Sequence, residues 1–374
     1  MGTPSRAAVV AAVTVALSGL VFFAADSGRT PAAPPRKCGV NDLLVPNCGA
    51  WWGVYMRDGH IKDHLLTMER RVGREFDMVS RYFDFTDESP GRFPDPAARE
   101  VATSRLMFLS WDTRDYVREK AFRWRDIASG AFDASVVVPQ ARRIKEFGRP
   151  MLLTFDHEME MNVSPHGRDQ GTEAEYVAAA RHIRRVFDAQ GVRNVRWVFT
   201  VTGHLGEGYP DRVRKLYPGD AYVDWVSWDP YNFYRCNGSD WETFDQSVGH
   251  TYRWMKTNIS ATKPYVLHEF GTQFDPRDPA RSHQWYHDIP GALQKRYPSI
   301  RALVRWNSGF ECGLGIDQGA GMLEAYAKTG RHPYLNRAAE RRDLIRDPLG
   351  SESTRPSRPA SPGATLDSTR FPPA

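Results

Sequence analysis

Residues 135–158 read SVVVPQARRIKEFGRPMLLTFDHE, and this stretch decides the fold. Val138, Ala141, Ile144 and Phe147 recur at the three- and four-residue steps that line one face of a helix. Pro139 falls in the first turn, where a missing N–H is tolerated. Gly148 stops the helix, and Pro150 marks the restart of the chain as a strand. The run that follows is continuously apolar and does not alternate, as expected of a strand covered on both faces. It ends in three polar side chains, Asp156, His157 and Glu158.

The same unit recurs on either side. Eight apolar runs can be counted: 51–55 (WWGVY), 81–85 (RYFDF), 105–111 (RLMFLSW), 150–158 (PMLLTFDHE), 195–201 (VRWVFTV), 222–231 (YVDWVSWDPY), 264–270 (PYVLHEF) and 301–307 (RALVRWN). Helices are predicted between them over 64–79, 135–147, 172–190, 241–256 and 279–296. The first places Leu65, Met68, Val72 and Phe76 on one face. The third opens on a Thr172-x-x-Glu175 capping box and ends at Gly191. Eight strands alternating with helices predict an α/β fold, a single (β/α)8 TIM barrel. An open doubly wound sheet is the alternative, but it normally shows a glycine-rich phosphate loop after an early strand. Here Trp51-Trp52-Gly53 leads into Tyr55-Met56-Arg57, which cannot cradle a phosphate.

The barrel need not account for the ends of the chain. In residues 1–37, Arg6 precedes the uncharged run 7–25 (AAVVAAVTVALSGLVFFAA), and a Pro/Ala linker follows. This reads as a signal peptide, with a retained membrane anchor as the competing reading. Residues 347–374 are a low-complexity tail, too poor in apolar residues to fold. The expected catalytic domain is therefore 38–346, in a protein that is exported. The four cysteines suit an oxidising compartment. Cys38 and Cys48 would close a short loop before the first strand, and Cys236 and Cys312 would tie two later loops. Sequence alone does not fix that connectivity.

A net charge of +5 over 374 residues comes from scattered arginines, without the concentrated stripe that nucleic acid needs. No nucleic-acid partner is expected, and a membrane is expected only through residues 7–25. The 11 Trp, 15 Tyr and 19 Phe mostly fill cores, but aromatic residues also make flat platforms for sugar rings.

In such a barrel the active site lies at the C-terminal ends of the strands. The first delivers Tyr55 and Arg57, the third Trp111 and Asp112, and the fourth Asp156, His157 and Glu158. The sixth delivers Trp228, Asp229 and Tyr231, the seventh His268 and Glu269, and the eighth Trp306 and Asn307. Two glutamates, Glu158 and Glu269, thus stand on opposite sides of the barrel mouth. A retaining glycosidase needs one protonated carboxyl to donate to the leaving oxygen and one carboxylate to attack the anomeric carbon. His157-Glu158 is not a zincin motif, because Met161 occupies the place of the second histidine and the stretch is a strand end. Asp229 and Glu311 are rival carboxylates: Asp229 precedes Pro230 in a turn, and Glu311 sits beside Cys312. Glu160 and Asn162 can be read as lining the cleft or as a solvated loop. Trp51 and Trp52 read as structural, packed under the Cys38–Cys48 loop.

Four motifs in order carry a more specific likeness. Leu152-Leu153-Thr154-Phe155-Asp156-His157-Glu158-Met159 resembles the His-Glu-Met segment of glycoside hydrolase family 26. Residues 263–271 (KPYVLHEFG) resemble that family's nucleophile strand. Val223-Asp224-Trp225-Val226 with Asp229-Pro230-Tyr231-Asn232 resembles its sixth strand, and Val304-Arg305-Trp306-Asn307 its eighth. The likeness spans residues 50–307. It implies Glu158 as acid/base and Glu269 as nucleophile. It also implies His157, Tyr231, Trp306 and Trp111 as substrate-binding residues, with Tyr231 orienting the nucleophile and Trp306 forming a platform.

No metal and no cofactor is implied. The implied substrate is a polysaccharide, β-1,4-mannan first, cleaved by a secreted monomer. Mixed-linkage glucan, β-1,3-xylan or an exopolysaccharide made by the same cell are the alternatives, and a non-catalytic carbohydrate-binding barrel is the rival class. The chain departs from the family's mannanases at Glu160-Met161-Asn162-Val163 and at Trp111-Asp112-Thr113. Those positions bear on the sugar and leave the two glutamates untouched.

Overall fold

The computed structural model describes residues 38–56, 61–88, 92–165, 167–236, 238–308 and 312–336. The leader reading of 1–37, the tail reading of 347–374, Arg57 and Glu311 lie outside the described residues.

Eight parallel strands form the barrel: β1 (Trp51–Met56), β2 (Met78–Asp84), β3 (Leu106–Asp112), β4 (Met151–Phe155), β5 (Val195–Val201), β6 (Trp225–Trp228), β7 (Tyr265–Thr272) and β8 (Ile300–Asn307). Each pairs with its neighbour in sequence, and β8 also pairs with β1, which closes the ring. Helices link the strands, so the predicted (β/α)8 barrel is the observed fold.

Strand alternation divides the apolar residues into two cores. The inner one holds Trp51, Met78, Phe108, Leu152, Trp225, Val266 and Val304. The outer one, between strands and helices, holds Trp52, Met107, Leu153, Leu267 and their helical partners. Trp51 and Trp52 therefore part company. The Trp51 indole N–H donates to the Leu44 carbonyl at 2.7 Å, under the Cys38–Cys48 loop as expected. Trp52 faces outward onto Phe270 and Tyr326.

The helix of the opening stretch begins at Val138, with Pro139 in its first turn, and ends on Gly148 at φ +70°. It is preceded by a π-helical turn, Asp133–Val137. The Thr172–Glu175 capping box forms with both of its hydrogen bonds. Two helices differ from expectation. The first runs Ile61–Val72 and stops at Gly73, whose φ of +70° favours glycine, so Val79 joins β2 instead. The segment 279–296 forms two helices, Pro279–His287 and Ile289–Lys295, because Pro290 has no N–H with which to continue the first. Helices Tyr209–Leu216 and Met322–Gly330 were not anticipated.

Two departures at strand ends position the site. β6 ends at Trp228, before Pro230, and Tyr231–Asn232 then pairs with Gly271–Thr272 at the end of β7. Between Leu267 and Phe270, β7 uses three residues against two on β8. This bulge sends Leu267 and Phe270 to the outer core and turns both His268 and Glu269 inward.

Both cysteine pairs are disulfides, Cys38–Cys48 and Cys236–Cys312, with Cα separations of 5.5 and 5.2 Å. The second joins the segment after β6 to the segment after β8. Among the described residues no helix is long and apolar enough to cross a membrane.

Candidate active site

β4 delivers Glu158 through a strained exit. Asp156 and Glu158 both adopt left-handed backbone, at φ 53° and 54°. Their amides still serve the sheet: Asp156 N–H donates to Trp111 O at 2.9 Å, and Glu158 N–H to Thr200 O at 3.0 Å. The exit thus hangs between β3 and β5 and throws Glu158 up at the rim. Burial pushes the Glu158 carboxyl up to about 7. The His157 charge works against that shift, and the charges of Glu269, Glu160 and Asp112 reinforce it.

Glu269, on the β7 bulge, is buried and held at both oxygens. Tyr231 donates its hydroxyl to Oε2 at 2.5 Å, and Tyr82 donates to Oε1. Burial and then the Glu269 charge push both phenols well above their usual range, so they remain donors. The Glu269 backbone N–H donates to Asp229 Oδ1 at 2.9 Å. Burial, followed by the charges of Glu269 and Glu158, pushes the Asp229 carboxyl well up as well. Asp229 thus supports the Glu269 backbone.

His157 lies between the two sides. Its Nδ1–H donates to Asp112 Oδ1 at 3.0 Å, and its Nε2 is 3.9 Å from Glu269 Oε1. Burial disfavours the imidazolium, but the Asp112 charge and hydrogen bond overcome this and hold His157 well above its usual range. Burial likewise works against the Asp112 anion. The His157 cation and donors from His157, Tyr116 and Ser110 prevail, and hold its carboxyl down at about 2.

Trp306, partly exposed, stacks on the buried Tyr55 with centroids 4.0 Å apart and planes 9° from parallel, forming an aromatic floor. Tyr82 meets the edges of both rings. A cleft of about 450 Å³ opens beside Glu158, lined by Thr202, His204, Asp229, Tyr231, Phe233 and His250. Asp229, His268 and Glu269 bring potential metal-ligand atoms within 4.8 Å of one another. Both Glu269 oxygens are committed to hydroxyls, however, and His268 Nε2 faces Ser80 Oγ at 3.0 Å.

Of the residues expected at the site, the fold brings together Glu158, Glu269, His157, Tyr231 and Trp306. Trp111 is a correction. Its ring is buried in the outer core against Phe85, Phe155 and Phe187, and its indole N–H donates to Asp84 O at 3.0 Å. On β3 it is Ser110 and Asp112 that face inward, so Trp111 between them must face out. Glu160 is a second correction to the solvated-loop reading. It is fully buried and accepts from the Thr202 N–H and, at 2.8 Å, from the Thr202 hydroxyl. Asn162 is buried too. Sequence reasoning passed over Tyr82. Its signal was the register Met78, Ser80, Tyr82 on the inward face of β2, visible only once that strand is begun three residues earlier.

Residues 117–269 match the sequence model of glycosyl hydrolase family 26. Endoglucanase H of Acetivibrio thermocellus is 29% identical over 290 residues, which are 75% of this chain and 30% of that protein. The chain thus spans less than a third of that relative's length. A ruminal family 26 endo-β-1,4-mannanase superposes with a TM-score of 0.55 at 13% identity, over 76% of this chain and 64% of that one. A family 26 β-mannanase from Bacteroides ovatus gives 0.55 at 15% identity, over 77% and 90%. At such identities the structural likeness speaks for the barrel alone.

Proposed function

We propose that the chain, whose residues 117–269 match the glycosyl hydrolase family 26 model, is a retaining endo-β-glycanase of that family. Glu269 attacks the anomeric carbon while Glu158 protonates the departing glycosidic oxygen. Glu158 then takes a proton from water, which displaces Glu269 from the glycosyl-enzyme. The observation that carries this reading is the contrast between the two carboxyls. Glu158 is held protonated close to neutrality by burial and like charge, whereas both Glu269 oxygens accept hydroxyl donors, the pattern of an anionic acceptor. His157 keeps a positive charge between them. The Trp306–Tyr55 stack supplies a rigid floor for the ring at the cleavage point.

The substrate is a polysaccharide, and the relative's name, Endoglucanase H, favours a β-glucan. A β-1,4-mannan is the second reading, favoured by the motif likeness. The chemistry asks for no metal or organic cofactor. Two disulfides and the apolar run 7–25 support action outside the cell, as a monomer that is either released or tethered by that run. Incubating the purified chain with lichenan, barley β-glucan, mannan, glucomannan and β-1,3-xylan, and counting reducing ends, tests the proposal. Release from lichenan or barley β-glucan ahead of mannan is expected. Silence on the whole panel would favour a carbohydrate-binding barrel.

A further inference from the structure

A second cavity, of about 510 Å³, opens among the loops that follow β3 and β4, and none of its lining residues belongs to the site described above. One wall is the two-stranded hairpin formed by Arg114–Asp115 and Lys120–Ala121, and the other is the turn at Arg168-Asp169-Gln170. Four cationic side chains line it (Arg114, Lys120, Arg123 and Arg168) against two carboxylates, Glu119 and Asp169, which leaves two positive charges in excess. Arg123 pairs with Asp169 at 3.2 Å. Among the described residues no carboxylate lies within ion-pair reach of Arg114, Lys120 or Arg168. Arg114 and Lys120 are instead seated on aromatic rings, at 5.1 Å from the centroid of Tyr116 and 5.6 Å from that of Phe122. Such seating holds the cation without neutralising it.

Gln170 adds an independent sign. Its side chain is 1% exposed, and its amide Nε2–H₂ group donates to Thr113 O and, at 3.1 Å, to Phe122 O. Its Oε1 has no partner. A buried acceptor without a partner, on a residue that lines the cavity, is a hydrogen bond still to be made there. Glu119 and Asp169, at the two turns, both adopt left-handed backbone, at φ 51° and 49°. Cations that want an anion, beside an acceptor that wants a hydroxyl, describe an acidic sugar better than a bare inorganic ion.

We propose that this cavity binds a carboxylate-bearing sugar unit, a uronic acid, of the glycan the enzyme handles. The inference rests on the glycanase reading and narrows its substrate to an acidic β-glycan. Electrostatics explain why the acid is received here. The catalytic mouth offers a uronate no such surplus of cations, since the His157 charge is already paired with Asp112. The cavity is built into the same rim: Tyr116 of the hairpin donates to Asp112 at 2.6 Å, and Gln170 Nε2 donates to Thr113 O at 2.9 Å.

The test measures binding, so that it does not depend on turnover. The full chain carrying Glu269→Ala is titrated calorimetrically with a β-linked glucose tetrasaccharide and with its counterpart carrying one glucuronic acid. The acidic ligand should bind about tenfold more tightly at low salt, an advantage that salt screens. Arg168→Ala combined with Lys120→Ala, both exposed, should abolish that advantage and leave the neutral ligand's affinity unchanged, which also reports an intact fold. Equal affinity for the two ligands, or an advantage that survives the double substitution, overturns the proposal. So does displacement of the acidic ligand by inorganic phosphate at concentrations where free glucuronate has no effect, since that marks a simple anion site. Failure of the glycanase reading would instead show as silence of the wild-type chain on the glycan panel.

Discussion

Tyr231 places its hydroxyl 2.5 Å from Glu269 Oε2, from a two-residue strand that pairs with the far end of Glu269's own strand. The phenol and the carboxylate are thus referenced to one backbone segment. Tyr82 reaches the other oxygen from across the barrel. Two donors from two directions fix the carboxylate plane.

That clamp gives the first prediction. A hydrogen bond to a charged group is worth about 1.5–3 kcal/mol, so Tyr82→Phe should lower kcat by about 10- to 100-fold. KM should move little if the clamp orients the nucleophile without touching the sugar. Steady-state kinetics on the best glycan of the panel decide. A wild-type kcat would remove Tyr82 from the machinery.

Glu269→Ala should cost on the order of 10⁴-fold or more in kcat, because no other residue takes over the attack. Added azide should restore part of the turnover and yield a glycosyl azide of inverted configuration, readable by NMR. Near-wild-type turnover would sink the nucleophile assignment.

Glu158→Ala should divide substrates by leaving group. A dinitrophenyl glycoside needs no proton and should react at close to its normal rate in the first step, whereas natural glycan should lose about 10²–10⁴-fold. Equal losses on both would remove the acid role.

The pH profile follows from the same residue. Glu158 must carry a proton to act as the acid, and its carboxyl is pushed up to about 7. The value of kcat/KM should therefore fall as pH rises through about 7. The His157 cation lowers the Glu158 value, so His157→Gln should move that alkaline limb upward. A downward shift would contradict the arrangement.

The disulfide Cys236–Cys312 closes a loop with a sequence separation of 76. Replacing both cysteines by alanine should cost about 2–4 kcal/mol of stability, measured by urea unfolding. Because this bridge joins the segments on either side of β7, activity should become more heat-sensitive as well.

The barrel was legible because its strands are buried on both faces, and a run such as Val195–Val201 shows its length directly. So was the pair of glutamates, since each ends an apolar run. What stayed hidden turns on direction rather than position. Trp111 and Asp112 are adjacent, yet one belongs to the outer core and the other to the site, and only the register of β3 separates them. His268 and Glu269 break alternation because β7 bulges, and the bulge exists only relative to β8. Tyr82 reaches its partner across 187 residues of chain, a contact that no local pattern announces. Helix ends were legible at Gly148 and at the Thr172 cap, and less so at Gly73, Pro290 and Thr243.

The exit of β4 bears on how such a protein changes over time. Asp156 and Glu158 hold left-handed backbone without being glycine, and a third acidic residue, Glu160, is sealed in two positions further on. Each of these is a burden on the fold. In a duplicated copy released from selection for activity, substitution of Glu158 by glycine or asparagine would relieve backbone strain and charge crowding together. The sturdiest descendants of this barrel would then be its inactive ones. Persistence of glutamate at position 158 in a lineage is accordingly a sign that turnover is still being selected.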